Sequence, residues 1–189
     1  MAIDFMVMPL SRYVVGDFIT PLMRHAWEQG LPYGIVTAEG SCQLPKDVLF
    51  GGPDAPVLRQ GALPMLAEDL AALRLPLWDE ATTAEPRFHR VDPASYGVLM
   101  EAASVQKTFF GLFNRTVITH LTAGVFLPCD FEKPFDMTAP VEQQAGSVPR
   151  ALAELESRKW PEAAQSAVAT LRDTLKDAAE LKLSMVVDY

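Results

Sequence analysis

The order of apolar and polar residues along the chain predicts short strands near both ends of the sequence. The apolar run Ile3–Met8 and the apolar run Met185–Val187 are each typical of a buried strand. Tyr33–Thr37 and Ser41–Leu44 flank Glu39-Gly40, a dipeptide that favours a hairpin turn. The pattern therefore places strands at both ends and a hairpin in the first half.

The longest strand signal lies in Thr116–Leu127. Apolar residues occupy alternate positions there, at Val117, Leu121, Ala123, Val125 and Leu127. This period of two predicts a strand whose odd positions face the core. His120 and Thr122 are expected on its other side, and Gly124 marks a bulge.

Helices are predicted between these strands from capping residues, prolines and apolar stripes. Their predicted first residues are Pro21, Val57, Pro93, Pro149 and Pro161. Thr20, Asp92 and Ser147 precede three of these starts with side chains that can cap a helix. Gly30 is expected to end the first helix, and Pro76 the second, which Pro64 bends. The apolar stripe of the last helix consists of Ala164, Ala167, Val168, Leu171, Leu175 and Ala178.

Two segments, 76–90 and Pro128–Gly146, are predicted as loops because turn-forming residues interrupt them. Long ordered loops are more often functional than short ones. Terminal strands, a hairpin and intervening helices indicate an α+β domain with a mixed or antiparallel sheet covered by helices. At 189 residues the chain has the length of one such domain, spanning 1–189.

The charge balance bears on the class of partner. The chain has 24 acidic and 16 basic side chains, a formal net charge of −8 and a pI near 4.8. The acidic excess is present in both halves, and neither half contains a basic block. Nucleic acids and anionic membranes are therefore disfavoured as partners, because both are bound by clustered Lys and Arg. A basic protein is the natural electrostatic complement.

The chain is expected to be a soluble cytoplasmic protein with reduced thiols. Its first ten residues lack a basic n-region and include Asp4, so they do not read as a secretory signal. No stretch reaches the roughly 18 apolar residues that cross a bilayer. Two cysteines, Cys42 and Cys129, are too few for a disulfide scaffold, and the sequence does not decide whether they form a single disulfide bridge.

Metal, cofactor and nucleophile motifs are missing from the sequence. His25, His89 and His120 are each more than thirty residues apart, and there is no C-x-x-C. The pair Gly51-Gly52 lacks the spacing of a phosphate-binding loop, and no serine lies in a G-x-S-x-G elbow. Cys129 is placed like a nucleophile after a predicted strand, but neighbouring acids would raise its pKa. No metal, cofactor or catalytic residue is therefore predicted.

Residues 88–93 form the most chemically mixed short segment. His89 could act as a general base beside Asp92, with Arg87 and Arg90 clamping a carboxylate. The alternative interpretation, which the pattern favours, makes Asp92 a helix cap and His89 a loop residue.

The segment 128–137 interleaves acidic and aromatic residues on a frame stiffened by prolines. Aromatic residues dominate interface hot spots, and a rigid loop loses little entropy on binding. The predicted partner-binding residues are Asp130, Phe131, Glu132, Phe135 and Asp136. The alternative is that both phenylalanines plug the core beneath an acidic, solvated loop.

These observations predict a non-catalytic protein-binding domain whose acidic surface recognises a basic partner protein. In its profile alone, as a small, acidic chain without catalytic motifs, it resembles the immunity proteins that neutralise bacterial toxins. No residue motif carries that likeness. Two alternatives stay open: a hydrolase or transferase with a site near His89, His120 and Cys129, and a structural subunit that self-associates through apolar helix faces. The oligomeric state is left open.

Overall fold

The computed structural model describes residues 3–14, 18–30, 34–37, 40–43, 66–75, 78–80, 84–107, 114–138 and 141–188. The strands in these ranges are β1 Ile3–Met8, β2 Gly34–Thr37, β3 Gly40–Gln43, β4 Arg87–Val91, β5 Val105–Lys107, β6 Asn114–Thr116, β7 Val125–Leu127, β8 Phe135–Met137, β9 Gln143–Ser147 and β10 Ser184–Asp188. The helices are α1 Leu10–Val14, α2 Pro21–Glu28, α3 Ala67–Ala72, α4 Pro93–Ser104, α5 Val148–Ser157 and α6 Gln165–Leu181. Short 3-10 turns occur at His120–Thr122 and Glu162–Ala164.

Six strands form one mixed sheet in the order β4-β1-β10-β7-β9-β8. All neighbours are antiparallel except β7 and β9, which run parallel. The pairs β2–β3 and β5–β6 form two separate hairpins. The predicted α+β class with a mixed sheet is confirmed.

One face of the sheet packs against α4, α5 and α6. The buried sheet residues on this face are Ile3, Phe5, Val7, Val91, Phe126, Met185 and Val187. All six positions of the apolar stripe predicted for the last helix are buried against them. Asp92 and Ser147 cap α4 and α5 as predicted, each accepting from a backbone N–H three residues later.

The opposite face packs against α1 and α3 through a second cluster. It contains Leu10, Leu66, Leu70, Val125, Leu127, Phe131, Met137, Ala145 and Val186. The start of α1 is held by Glu80, whose carboxylate accepts hydrogen bonds from Leu10 N at 2.6 Å and Ser11 N at 3.0 Å. It also accepts from the Trp78 indole at 3.0 Å. A carboxylate at this position satisfies N–H groups that a helix leaves unpaired.

The predicted strand Thr116–Leu127 is wrong as a single element. Its first residue ends β6, its last three form β7, and between them His120–Thr122 makes a 3-10 turn. His120 consequently points inward and is 3% exposed, instead of lying on the side away from the core. The period of two did not reveal the turn because Leu121 and Ala123 are buried in either conformation.

The two predicted loops also contain strands. Arg87–Val91 forms β4, at one end of the sheet, and Pro128–Gly146 contains β8 and most of β9. These strands escape detection because they lie at or near the ends of the sheet and are short or carry many polar residues.

The remaining element predictions are confirmed in part. Thr20 caps α2, accepting from Met23 N at 3.2 Å, and Gly30 takes the left-handed conformation after it. The predicted helix from Val57 to Leu75 is described only from Leu66 onward, where Leu70 is buried and Leu73 is 39% exposed. Pro64, Gly51-Gly52 and the hairpin turn at Glu39 lie outside the described residues. Among the described residues, no helix combines the length and apolar character needed to span a bilayer.

Candidate functional site

The predicted partner-binding segment is anchored from inside the protein by His120. Ser147 N donates to its Nδ1 at 3.0 Å, so the ring proton lies on Nε2, which donates to the backbone carbonyl of Glu132 at 3.2 Å. Both ring nitrogens are thus used by backbone groups in one neutral tautomer. The imidazole ties the start of α5 to the loop before β8.

Phe131 forms the second anchor of this segment. Its ring is 7% exposed and makes edge-to-face contacts with His120, at a centroid distance of 5.4 Å, and with Phe135, at 5.2 Å. Phe135 is half-buried and packs against the same cluster. The placement of both phenylalanine rings therefore matches the alternative in which they pack into the core. Phe131 lies beneath the loop and supports it.

Asp130 forms an ion pair at the surface with Arg150 of α5. The guanidinium Nε donates to one carboxylate oxygen at 2.5 Å and Nη2 to the other at 3.2 Å. The hydrogen bonds from Arg150 lower the pKa of Asp130, and those same bonds raise the pKa of Arg150. This pair fixes the loop to α5, and it also offsets the Asp130 charge.

Three carboxylates of this region are exposed besides Asp130, namely Glu132, Asp136 and Glu142. None of them makes an ion pair with a described residue. Lys133 is exposed between the first two and is the nearest basic residue in sequence. We use the name acidic loop surface for the exposed carboxylates of Asp130, Glu132, Asp136 and Glu142, which lie before, on and beside β8. Of its members, only Asp130 makes an ion pair with a described residue.

Cys129 does not have the surroundings of a nucleophile. Burial raises the pKa of its thiol to about 11, and the charge of Asp130 acts in the same direction. The thiol is free and half-buried. It packs against the apolar cluster beneath β7, β8 and β9.

The Cys129 thiol is expected to react slowly with iodoacetamide at pH 8. With a pKa of about 11, roughly one thiol in a thousand is ionised at pH 8, against about one in four for an unperturbed cysteine. The rate should rise about tenfold per pH unit until the pH nears that pKa. Mass spectrometry on a Cys42→Ser variant measures it, and a rate that levels off near pH 8.5 would contradict the burial argument.

The three residues of the alternative catalytic site are not gathered in one place. His89 lies on β4, four strands along the sheet from β9, which at about 4.8 Å per strand is roughly 19 Å. Its Nε2 is 2.8 Å from Asp177 of α6, and Arg87 pairs with the same carboxylate. His120 and Cys129 lie toward the other end of the sheet.

Asp92 and Arg90 also have structural partners. Asp92 caps α4 and does not face His89, while Arg90 donates to both carboxylate oxygens of Asp4 at 2.9 and 3.0 Å. The carboxylate clamp predicted for Arg87 and Arg90 thus holds carboxylates of the protein itself. No group of three or more metal-binding side chains occurs within the described ranges.

A cleft of 680 Å³ at the β4 end of the sheet was not predicted. Its walls come from α2, from Phe18 and Ile19, and from Pro86 and Phe88. A smaller cavity of 380 Å³ adjoins it through shared lining residues and is bounded by the Asp4–Arg90 pair. No local motif signals this cleft, because distant segments supply its walls.

A charged row crosses the sheet beside this cavity. The strand register sets Arg90 opposite Asp4, and Asp4 opposite Asp188. Burial raises the pKa of Asp188, and the charge of Asp4 raises it further. Burial also raises the pKa of Tyr13, with Asp188 acting in the same direction. The rest of this face of the sheet is mostly apolar, so these charged residues interrupt an otherwise apolar surface.

Comparison of the chain with protein-family models finds no match. Comparisons with curated proteins and with solved structures also find none. The function is therefore inferred from the geometry described above.

Proposed function

We propose that this chain is a non-catalytic binding protein whose acidic loop surface recognises a basic partner protein. The observation that carries the proposal is the anchoring of this surface. The buried His120 holds the carbonyl of Glu132, and Phe131 packs beneath it. A surface fixed in this way binds without a large ordering cost.

The charge of this surface supports a basic protein as the partner. Three exposed carboxylates on the acidic loop surface lack an ion-pair partner among the described residues, and the chain as a whole carries a net charge of −8. Such a surface attracts a basic protein over a distance set by ionic strength and sets the orientation of the encounter. We expect the carboxylates to lie at the rim of the interface, where they mainly affect the association rate and the salt dependence of binding.

The proposal extends to a biological role and a location. A cytoplasmic protein that occupies a basic surface of a toxin would neutralise it without chemistry, which is the role of immunity proteins. The identity of the neighbouring gene bears on this directly, because immunity genes adjoin the genes of their toxins. A neighbouring gene for a basic toxin would support the role.

The acidic loop surface is tested with a charge-matched pair of triple variants. The first carries Glu132→Gln, Asp136→Asn and Glu142→Gln, and the control carries Glu101→Gln, Glu162→Gln and Asp173→Asn. All six positions are exposed, so both variants should fold. The first variant should bind the captured partner about tenfold more weakly at low salt, because three exposed charge contacts are lost. Affinity capture from the native cell followed by titration calorimetry measures the difference.

The control triple should bind within about twofold of the unchanged protein, and the binding should weaken as salt is added. Recovery of no basic protein at low salt would count against the proposal. Equal loss in the two triples would show that overall charge, and not the acidic loop surface, is responsible.

The two alternatives are separated by different observations. The separation of His89 from His120 and Cys129 across the sheet argues against the alternative hydrolase or transferase site at these three residues. For a self-associating subunit, light scattering on dilute protein should show a mass above 20.8 kDa. A clean monomer would remove that alternative.

A further inference from the structure

The strand β4 lies at one end of the six-stranded sheet and has an open edge. It pairs with β1 on one side, and within the described ranges no strand pairs with its other side. Such an edge leaves a row of backbone N–H and C=O groups that can pair with another strand. With five residues, β4 has an ordinary strand length, so its edge is long enough to accept a further strand.

The hydrogen bonds of the sheet determine which residues of β4 face this open edge. Val187 N donates to Gly124 O at 2.9 Å, so the odd-numbered residues of β10 bond to β7 and the even-numbered ones bond to β1. Because successive residues of a strand bond to opposite sides, the register then makes His89 bond to β1. Phe88 and Arg90 therefore direct their N–H and C=O groups outward. In the described part of the chain, neither N–H donates a hydrogen bond outside the sheet.

The features that usually protect an edge strand from further pairing do not protect β4. Those features are unpaired charges, a proline within the strand, or a bulge. The pairing of β4 with β1 is continuous from Arg87 to Val91, and the strand contains no proline. Its two arginines bind carboxylates of the protein itself, Arg90 through both oxygens of Asp4 and Arg87 through Asp177. Their charges are therefore already compensated.

The two cavities beside β4 provide room for the side chains of an added strand. The larger, of 680 Å³, lies between α2 and Phe88, and the smaller, of 380 Å³, extends to Arg90. Phe18, Ile19 and Pro86 give the larger cavity an apolar wall. A residue paired directly opposite Phe88 or Arg90 has its side chain on the same face of the sheet, and this is the face that the cavities adjoin.

The charged side chains around the larger cavity do not favour an ionic ligand. Arg12 and Arg24 are matched in number by Glu28 and Glu85, and all of these except Arg12 are exposed to solvent. Exposed charges contribute little to affinity because water and salt screen them. The remaining determinants are the apolar wall and the outward backbone groups of β4. Together they fit an uncharged, extended peptide with apolar side chains at alternate positions.

We infer that the edge of β4 binds an extended peptide segment of another protein, which adds to the sheet as an antiparallel strand. The backbone of this segment bonds to Phe88 and Arg90, and its apolar side chains enter the space between α2 and β4. Antiparallel pairing is the more stable arrangement per residue and is the one that β4 makes with β1. The site lies at the opposite end of the sheet from the acidic loop surface, so it does not depend on the proposed function.

Hydrogen exchange of the full chain without ligand provides the first test. After correction for intrinsic rates, the amides of Phe88 and Arg90 should exchange at least about tenfold faster than that of His89, because only His89 is bonded to β1. NMR at two protein concentrations measures these rates. Slow exchange at both outward amides would overturn the inference. Protection that rises with protein concentration would place a second copy of the chain on this edge and would overturn it as well.

The second test uses the uncharged peptide acetyl-Ser-Val-Thr-Val-Thr-Val-Ser-amide and two N-methylated forms of it. Its valines should lie opposite Phe88 and Arg90 and bond through their own N–H groups. The parent peptide should bind with a Kd on the order of 0.1 mM and slow exchange at both amides about tenfold near saturation. Methylation of the valine nitrogens should weaken binding at least about tenfold, whereas methylation of the threonine nitrogens should change it less than about threefold.

A matched pair of substitutions at one position locates the binding on the chain. Arg90→Pro should weaken binding of the parent peptide about tenfold, because proline lacks the outward N–H and its ring occupies the edge. Arg90→Ala loses the same ion pair with Asp4 but keeps the N–H, so binding should stay within about threefold.

The methylated peptides test the same hydrogen bonds on the unchanged protein, so the inference is tested even if Arg90→Pro fails to fold. Three results would each overturn it. The first is no binding of the parent peptide at millimolar concentration. The second is binding that leaves exchange at Phe88 and Arg90 unchanged, as a ligand confined to the cavities would do. The third is equal binding of the parent peptide and its valine-methylated form.

Discussion

Replacing His120 by alanine is expected to lower the free energy of unfolding by about 3–5 kcal/mol. The substitution leaves a cavity beside Phe131 and removes the acceptor for the backbone N–H of Ser147, which is fully buried. It also removes the donor to the Glu132 carbonyl. Urea unfolding followed by circular dichroism measures the change, provided that the slope of the transition is unchanged.

His25→Ala is the matched control for this substitution. His25 is exposed on α2, so its removal should change the free energy of unfolding by less than about 0.5 kcal/mol. In the His120 variant, hydrogen exchange should accelerate at residues 129–132 relative to the unchanged protein. Exchange in β1 should accelerate less, because only residues 129–132 lose their anchor. If His120→Ala changed the free energy of unfolding by less than about 1 kcal/mol, His120 would not be what holds the loop in place.

Gly146→Ala is expected to cost about 2–4 kcal/mol, although it adds a single methyl group. A Cβ at this position would lie 2.6 Å from the His120 carbonyl oxygen and 2.8 Å from the Cβ of Ala123. The first contact is with backbone, so a side-chain rotation cannot relieve it. The 3-10 turn at His120–Thr122 and the strand β9 would have to separate.

Gly97→Ala is the matched comparison for this change. Gly97 lies within α4, where an added Cβ meets nothing within 4 Å. Alanine there should raise the free energy of unfolding by about 0.5–1 kcal/mol, because glycine disfavours the helix interior. Thermal unfolding of both variants compares them, and a loss of stability in the Gly97 variant would contradict the assigned packing of α4.

The helices could be predicted because their signals are local. Asp92-Pro93 and Ser147 mark helix starts through a cap that acts on the next three residues, and the α6 stripe repeats with the period of a helix. The mixed α+β class followed from those helices together with the apolar terminal strands. Each of these signals lies within a window of a few residues.

The strand β4 could not be predicted, since its partner is distant in sequence, whereas β8 and β9 pair with each other locally and were missed because β8 is short and β9 begins with two glutamines. Arg87–Val91 pairs with β1, eighty or more residues earlier, and its charged side chains are satisfied by Asp4 and Asp177. Nothing within the segment distinguishes it from a polar loop. The turn at His120 was hidden for a related reason, as its partners Glu132 and Ser147 lie twelve and twenty-seven residues away.

The sequence indicated that the acids of the segment 128–137 are exposed, but it did not reveal which residues the segment contacts. Acidic and aromatic residues on a proline-stiffened segment indicated the loop surface, and its acids are exposed as expected. The pairing of Asp130 with Arg150 was not foreseen, because an ion pair across twenty residues leaves no local pattern. Glu142, an acid of the same segment that is not among the predicted partner-binding residues, immediately precedes β9, the neighbour of β8.

The place of β10 within the sheet has a consequence for synthesis on the ribosome. Ser184–Asp188 lies between β1 and β7, so it joins the pair β4–β1 to the group β7–β9–β8. Until these residues leave the exit tunnel, the two parts of the sheet have no shared strand, and β1 presents an unpaired apolar edge. The sheet therefore becomes continuous only when Ser184–Asp188 inserts, after the other five strands of this sheet have been synthesised.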